Sequence, residues 1–485
     1  MPSAEAPDAP APSAVVCVDV GSTFTKALLV DLADGTVLAS AEHPTTIGTD
    51  VLDGYDACRA ALAQQHPAAA TAPALACSSA GGGLRVAVVG NEELVTAEAG
   101  RRVALSSGGK VVGVLAVAGL PAGAEGGDAA AYRAFLDDAA PDVVLLTGGT
   151  DGGNADALVA GAHGLVAAGW RGPVVVAGNV DARDEVGALL EEAGAPAVLT
   201  DNVVPRIGVL EPGPARAAVR EVFLAHVIGG KHLSRRPEFV AMVRGATPDV
   251  VLTGVELLAR TLPGDVVVVD VGGATTDVHS VVELDPDTAY SGALGLSREV
   301  VATTPLTRTV EGDLGMRWSA LTTLAALEER DPGAVDDGLR AAARRRHDDP
   351  GFVPDPAAPD GAAEAAHDEA LAAAAVGEAL RRHAGRSRLV VGPEGRVVER
   401  SGTDLREVAL VVGSGGALRH GPPGTADRVL AAVVAEDLAG GWQLPRAPRL
   451  VVDRDYVLAA AGLLAAEHPA AAVGLVRHLL DAAPV

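Results

Sequence analysis

The sequence predicts an α/β protein built from two similar halves, with a further α/β segment inserted into the first. Three observations carry that expectation. "VVCVDVGSTFTKALLV" at 15–30 and "GDVVVVDVGGATTDVHSVV" at 264–282 share one plan: an apolar strand, Asp, a spacer, Gly, small and hydroxyl residues, then a second apolar strand. Their aspartates, Asp19 and Asp270, stand about 250 residues apart, too far for a solenoid period, so the repeat implies two half-molecules rather than an array. Between them, roughly from 76 to 230, strands such as "DVVLLTGG" and "GPVVVAGN" alternate with helical stretches, which argues for a parallel sheet with crossover helices.

The chain has 485 residues, more than one ordinary core holds, and two or three domains are expected. Hydrophobic residues make up 48% but aromatics 2%, so Val, Leu and Ala must fill the interior. The valine runs at 86–89, 174–176, 266–269 and 408–412 are short and bounded by Gly, Asp or Pro, as buried strands are and membrane spans are not. A formal net charge of −25 disfavours nucleic acid and anionic membranes as partners and favours a protein or small molecule. Cys17, Cys58 and Cys77 have no metal-ligand spacing, and three in so long a chain argues against a disulfide framework. The opening "MPSAEAPDAPAPSA" lacks the pattern of a secretory signal and reads as a disordered tail over 1–13, so a cytoplasmic location is the expectation.

In order along the chain, the first half starts with a strand ending at Asp19, a polar tip at Gly21, a second strand from about Ala27, a turn at "DLADG" and a third strand at "TVLASAEH". Apolar residues at helical spacing predict a helix over 51–65. The expected division is 14–75 for the first half, 76–250 for the insertion and 251–485 for the second half, with a charged, Pro-rich variable segment at 328–370. In the second half, "REVALVVGSGGALRH" at 406–420 reads as strand, glycine turn and helix start, and "RDYVLAAAGLLAAE" at 454–467 as an Ala-rich helix.

The hairpin tips are small, polar and rich in backbone NH groups, the surface a phosphate chain needs. The first offers Gly21, Ser22, Thr23, Thr25 and Lys26 beside Asp19; the second offers Gly272, Gly273, Ala274, Thr275 and Thr276 beside Asp270 and Asp277. If they face each other across a cleft, the two tips hold one phosphate chain while Asp19 and Asp270 place a metal directly or through water. The glycine turn with Gly413, Gly415 and Gly416 would then let backbone pack against a base and ribose.

The order "DVGSTFTK", "DVGGATTD", "VVGSGGAL" and the Ala-rich helix after Asp455 resembles the phosphate 1, phosphate 2, adenosine and second connecting motifs of the actin, Hsp70 and sugar-kinase superfamily. More narrowly, "PTTIGTDVLDGYDAC", "SSAGGGLRVAVVG", "LLTGGTDGGN", "TDNVVPRIGVLEPGPAR" and "RTVEGDLGMRWSA" resemble the glutamate mutase accessory protein family, MutL or GlmL, from about 15 to 470. That resemblance implies two RNase H-like halves around a nucleotide cleft, ATP or ADP with Mg²⁺ as cofactors, and an adenosylcobalamin-dependent carbon-skeleton mutase as partner. It implies phosphate and metal at Asp19, Gly21, Ser22, Thr23 and Lys26, with Asp270, Gly272, Gly273 and Thr275 opposite, and adenosine at Gly413, Gly415 and Gly416. The expected role is an ATPase that reactivates the mutase by exchanging damaged cobalamin. A small-molecule kinase using Asp277 or Glu311 as base, and a nucleotide-gated scaffold with little turnover, are the alternatives.

Three features stay open between two readings, and a fourth has one. "TGGTDGGN" at 147–154 is either an anion or partner site or a glycine-rich crossover loop. In "EGDLGMRW" at 311–318, Glu311 and Asp313 are either metal- or water-positioning carboxylates, Glu311 then being catalytic beside Asp19 and Asp270, or Asp313 is a helix cap. His279 is either functional or an inward-facing strand residue. The run "RRRH" at 344–347 reads as a solvated helix face.

Overall fold

The computed structural model describes residues 12–80, 83–119, 129–228, 233–283, 305–392, 395–431, 433–434 and 441–481. Most of the expected N-terminal tail lies outside them, and the first strand begins at Ala14. The first half runs through β1 (Ala14–Val20), β2 (Phe24–Asp31), β3 (Val37–Pro44), α1 (Val51–Gln65) and β4 (Ala74–Ser78). There follow β5 (Leu84–Gly90), α2 (Glu98–Ser106), β6 (Gly109–Ala116), α3 (Ala129–Ala139), β7 (Val143–Leu146), α4 (Asp156–Ala167), β8 (Val174–Val176), α5 (Arg183–Glu192) and β9 (Ala197–Leu199). The chain returns through α6 (Gly213–Val222), α7 (Pro237–Met242), β10 (Val243–Ala246) and α8 (Thr247–Thr261).

The second half contains β11 (Val266–Val271), β12 (Thr276–Val281), β13 (Leu306–Glu311), α9 (Ala320–Arg330), α10 (Asp337–Asp348), α11 (Gly361–His383), and a hairpin of β14 (Arg386–Gly392) with β15 (Gly395–Ser401). It closes with β16 (Leu410–Ser414), α12 (Gly416–His420), α13 (Thr425–Ala431), β17 (Arg449–Val452), α14 (Val457–Leu464) and α15 (Pro469–Asp481).

The two halves have one topology. The first sheet, read β3-β2-β1-β4-β10, is antiparallel across its first three strands and parallel across its last three. The second, read β13-β12-β11-β16-β17, repeats that pattern strand for strand. This is the two-halved arrangement that the repeat predicts. The insertion is a separate parallel sheet in the order β6-β5-β7-β8-β9, a doubly wound order. The sheets divide inside the expected boundaries: β4 and β10 both pair in the first-half sheet, and the insertion's own strands span 84–199. The variable segment 328–370 is largely helical, contributing α10 and parts of α9 and α11.

Alternate strand residues serve two cores. Val16, Val18 and Val20 join the insertion's Val86, Val88 and Leu145 in one apolar cluster, so the insertion shares a core with the first half. On the opposite face Val15, Cys17 and Leu28 of the first sheet meet Val266, Val268 and Val412 of the second, with α8, α14 and α15 completing the seam between halves. At the α8–α14 crossing a β-carbon on Gly254 would overlap the Leu458 carbonyl, and one on Gly462 would overlap that of Val250. Backbone against backbone is what brings these helices together.

All three cysteines are free and buried, and burial pushes the Cys17 thiol to about 12 and that of Cys58 to about 11. No helix among the described residues is long and apolar enough to cross a membrane.

One residue of the "RRRH" run departs from the expectation. Arg344, Arg345 and His347 are exposed, but Arg346 is wholly buried, its guanidinium bonded to Glu364 at 2.7 Å and Asp368 at 2.6 Å. The run is a pairing element as well as a solvated face.

Overpacking the helix crossing tests the seam. Gly462→Val should lower resistance to urea by about 1–3 kcal/mol, since the two backbones must separate to admit the side chain. An unchanged unfolding midpoint would mean that the crossing is not close-packed.

Candidate functional site: two hairpins across a cleft

Each hairpin closes through the same bond. The Gly21 amide donates to the Phe24 carbonyl at 3.1 Å, and the Gly272 amide to that of Thr275 at 2.9 Å. The carbonyls of both tips are then held by neighbouring elements. Thr45, from the "PTTIGTD" motif, donates its amide to Thr23 O at 2.8 Å and its hydroxyl to Gly21 O at 2.9 Å. At the second tip, Met316 and Arg317 donate their amides to Gly272 O and Gly273 O at 3.0 and 2.8 Å, and the Ser319 hydroxyl donates to Ala274 O at 2.6 Å. Carbonyls fixed on one side leave the tip's opposite edge to its NH groups, the polarity an anion requires.

The tips face each other: a β-carbon built on Gly273 would lie 3.3 Å from Thr23 Oγ1 of the opposite half. At the strand ends behind them, Asp19 pairs in register with Lys26 and Cys77, and Asp270 with Asp277 and Ser414. The structure therefore brings the hairpin residues Gly21, Ser22, Thr23 and Lys26 together with Gly272, Gly273, Ala274 and Thr275. Thr25 is different. Its side chain is fully buried and meets Thr45 Oγ1 at 3.2 Å, bracing the hairpin from behind.

The two aspartates have unlike surroundings. Asp19 Oδ1 accepts the Thr247 hydroxyl at 2.6 Å, and Oδ2 lies 3.8 Å from Lys26 Nζ. Asp270 Oδ1 is buried with no partner among the described residues, and burial, followed by the opposing pull of Lys26 and the push of Asp277 and Asp19, raises its carboxyl from 3.8 to about 6. Burial would lower the Lys26 ammonium, but Tyr456, Asp19 and Asp270 outweigh it and hold the group above its ordinary value. Burial lifts the Tyr456 phenol to about 12.

The remaining candidates sort clearly. Glu311 lies beside Thr276 in the β12–β13 register and binds Arg382 at 2.8 Å, as does Asp313. Asp313 is not a helix cap, because α9 starts at Ala320 with Ser319 in the capping position and the Asp313 carboxylate is held by Arg382 instead. His279 is a buried residue of β12, its Nδ1 without a partner among the described residues, and burial with Arg308, His383 and Arg216 nearby keeps it neutral. In the glycine turn, a β-carbon on Gly413 would enter Leu418 and Leu430, and one on Gly415, at φ +115°, would overlap the Val271 carbonyl. Only Gly416 opens onto free space.

The loop "TGGTDGGN" is laced to its neighbours: Asn179 Nδ2 donates to Thr150 O at 2.7 Å, and Asn202 Nδ2 to Gly149 O at 2.9 Å and Asp151 Oδ1 at 2.8 Å. No group of three or more His, Cys, Asp or Glu residues suited to a metal occurs among the described residues. Sequence reasoning missed Thr45, Thr247, Ser414 and Tyr456. Thr45, Ser414 and Tyr456 lie inside quoted motifs; Thr247 lies in none.

The profile of the MutL protein family matches residues 15–480. The chain belongs to that family. Protein MutL from Clostridium tetanomorphum is 34% identical over 482 residues, covering 96% of this chain and 99% of the relative. Among solved structures, nucleotide-free acetone carboxylase is similar at TM-score 0.40 and 15% identity over 93% of this chain and 70% of that one. A xylulose kinase from Bifidobacterium adolescentis is similar at TM-score 0.31 and 14% identity over 94% of each chain.

The elevated Asp270 carboxyl has a stability consequence of defined sign. Unfolded, the group ionises near 3.8; folded, near 6, so its favourable contribution is full below 3.8 and lost as pH rises through about 6. Asp270→Asn should therefore stabilise the chain at pH 8 by about 1–3 kcal/mol, with the gain shrinking toward pH 4. Urea unfolding at both pH values checks this; a gain independent of pH would overturn it.

Proposed function

We propose that this MutL-family chain is an ATP-binding accessory protein for an adenosylcobalamin-dependent carbon-skeleton mutase of the glutamate mutase type. It restores the mutase by nucleotide-driven exchange of damaged cobalamin. The observation that carries the reading is the pair of equivalent hairpin tips facing each other across the two halves, with Gly273 against Thr23. Two tips with outward NH groups clamp a triphosphate from both sides, and Lys26 meets its charge.

A divalent cation fits this donor set through Asp270, whose Oδ1 is buried and without a partner among the described residues, while Asp19 is already bonded by Thr247 and reaches a cation through water. Bound Mg²⁺ would neutralise charge developing on the phosphate oxygens. Gly416, opening onto free space, is where backbone would lie against adenosine. Among the alternatives, a kinase needs a free carboxylate base. Glu311 is pinned by Arg382, and Asp277 by Arg308, whose Nη2 lies 2.5 Å from it, so neither carboxylate is placed for that work.

The insertion is the proposed mutase-facing element. It shares a core with the first half, yet Arg308 of the second half, while holding Asp277, donates from Nη1 to Leu105 O at the end of α2 at 2.6 Å. A movement of the second hairpin would thus be felt by the insertion.

Three measurements follow. Mutase inactivated by turnover should regain activity with this protein, ATP, Mg²⁺ and fresh cobalamin; no recovery would sink the reactivating role. Gly416→Val should weaken ATP binding by about 1–3 kcal/mol without changing urea stability, and unchanged affinity would remove the turn from the site. Wild-type protein should bind the mutase with affinities that differ between ADP and a nonhydrolysable ATP analogue by about 1–3 kcal/mol. Arg308→Met should shrink that difference, and an undiminished difference would clear Arg308 of coupling.

A further inference from the structure

One residue at the cleft adopts a conformation that its place in the chain does not require. Tyr456 precedes α14 at φ +61°, and Ala140 is the only other non-glycine residue with positive φ among those described. A bulky side chain seldom occupies that region. Capping does not explain it, because the first amides of α14, Val457 and Leu458, donate to the Asp453 carboxylate at 2.8 and 3.1 Å. What the conformation achieves is the direction of the ring.

The ring reaches from the second half to the first. Lys26 Nζ, on β2, lies 3.4 Å from its centroid, and Arg419 Cζ, on α12, lies 4.5 Å from it. Arg419 is independently fixed, donating to Arg454 O at 2.7 Å and approaching Glu42 at 3.4 Å, and Glu42 is the register partner of Lys26 on β3. An ammonium over an aromatic face is held more firmly where water is scarce, and Lys26 is only 19% exposed.

We propose that Tyr456 is a positioning residue for the nucleotide site: its ring seats the Lys26 ammonium between Asp19 and Asp270, where the terminal phosphates of a nucleoside triphosphate would arrive. The inference rests on the nucleotide reading above. A free lysine side chain samples many rotamers, and holding it before the ligand arrives removes that entropy from the binding and transfer steps. An incoming phosphate then replaces the Asp19 contact with another anionic one while the ring contact persists. The ring face carries the contact with the ammonium, and phenylalanine, which keeps that face, is the conservative replacement.

The test uses the full chain with Tyr456→Phe, Tyr456→Leu, Lys26→Met and the double variant Lys26→Met/Tyr456→Leu. Reductive methylation of Lys26, followed by peptide mass spectrometry without nucleotide, should be alike in wild type and Tyr456→Phe and several-fold faster in Tyr456→Leu. In ATP hydrolysis Tyr456→Phe should stay near wild type, and Tyr456→Leu should lose about tenfold in kcat with KM within about threefold. In the Lys26→Met background the leucine change should have no further effect.

Unchanged Lys26 labelling in Tyr456→Leu, or an equal kcat loss in both backgrounds, would overturn the proposal and assign the ring to packing. Wild-type protein that binds no ATP would refute the nucleotide reading and take the positioning role with it. The labelling result would then still tell a wrong ligand from a wrong seat.

Discussion

Two carboxylates from opposite halves, Asp19 and Asp270, face one ammonium, Lys26, at the ends of the central strands. The halves are packed together by an apolar seam that excludes water up to these residues, so the charges are not screened as surface charges are. One cation cannot satisfy both acids equally. Asp19 gains Lys26 and the Thr247 hydroxyl; Asp270 keeps an oxygen without a partner among the described residues and a raised pKa. The seam therefore produces an unbalanced negative charge where the two hairpin tips offer positive backbone dipoles. A ligand combining a cation with an anionic chain resolves both at once.

The halves repeat each other in backbone but not in charge. Lys26 and Asp277 occupy equivalent positions, each opposite the strand-end aspartate of its own half. A literal repeat of lysine would have neutralised Asp270; aspartate there instead adds to its burden, and Arg308 from β13 supplies the compensating charge. Because the guanidinium has several donors, one arm satisfies Asp277 while another reaches the Leu105 carbonyl of the insertion. The departure from symmetry is what ties the second hairpin to the added domain.

The strands, hairpins and glycine turn were legible because they depend on local pattern: valine runs with period-2 alternation, a glycine at each tip, and a repeat spaced too widely for anything but two halves. The helix over 51–65 was readable from spacing alone. Pairing was not legible. That β10, some 165 residues after β4, returns to the first-half sheet is decided by long-range packing of α8 against α14, which leaves no local mark. Nor does sequence separate glycines that face a ligand from those that admit a neighbour's backbone. Gly415 is required by the Val271 carbonyl and Gly416 by nothing in the protein, although the two are adjacent and identical. Arg346 was misread for the same reason, its partners Glu364 and Asp368 lying on a different helix.

The insertion's attachment restricts how the molecule can move. Its core is continuous with that of the first half, so the two travel together, and relative motion between halves must be taken up at the seam or where α2 packs on β13, the Arg308–Leu105 contact included. The seam is backbone against backbone at Gly254 and Gly462 and resists sliding, whereas the packing of α2 on β13, with the Arg308–Leu105 hydrogen bond in it, is made by side chains that can re-pair. A rotation about the helix crossing would therefore carry the insertion, with the first half, against Arg308 and the second hairpin it holds.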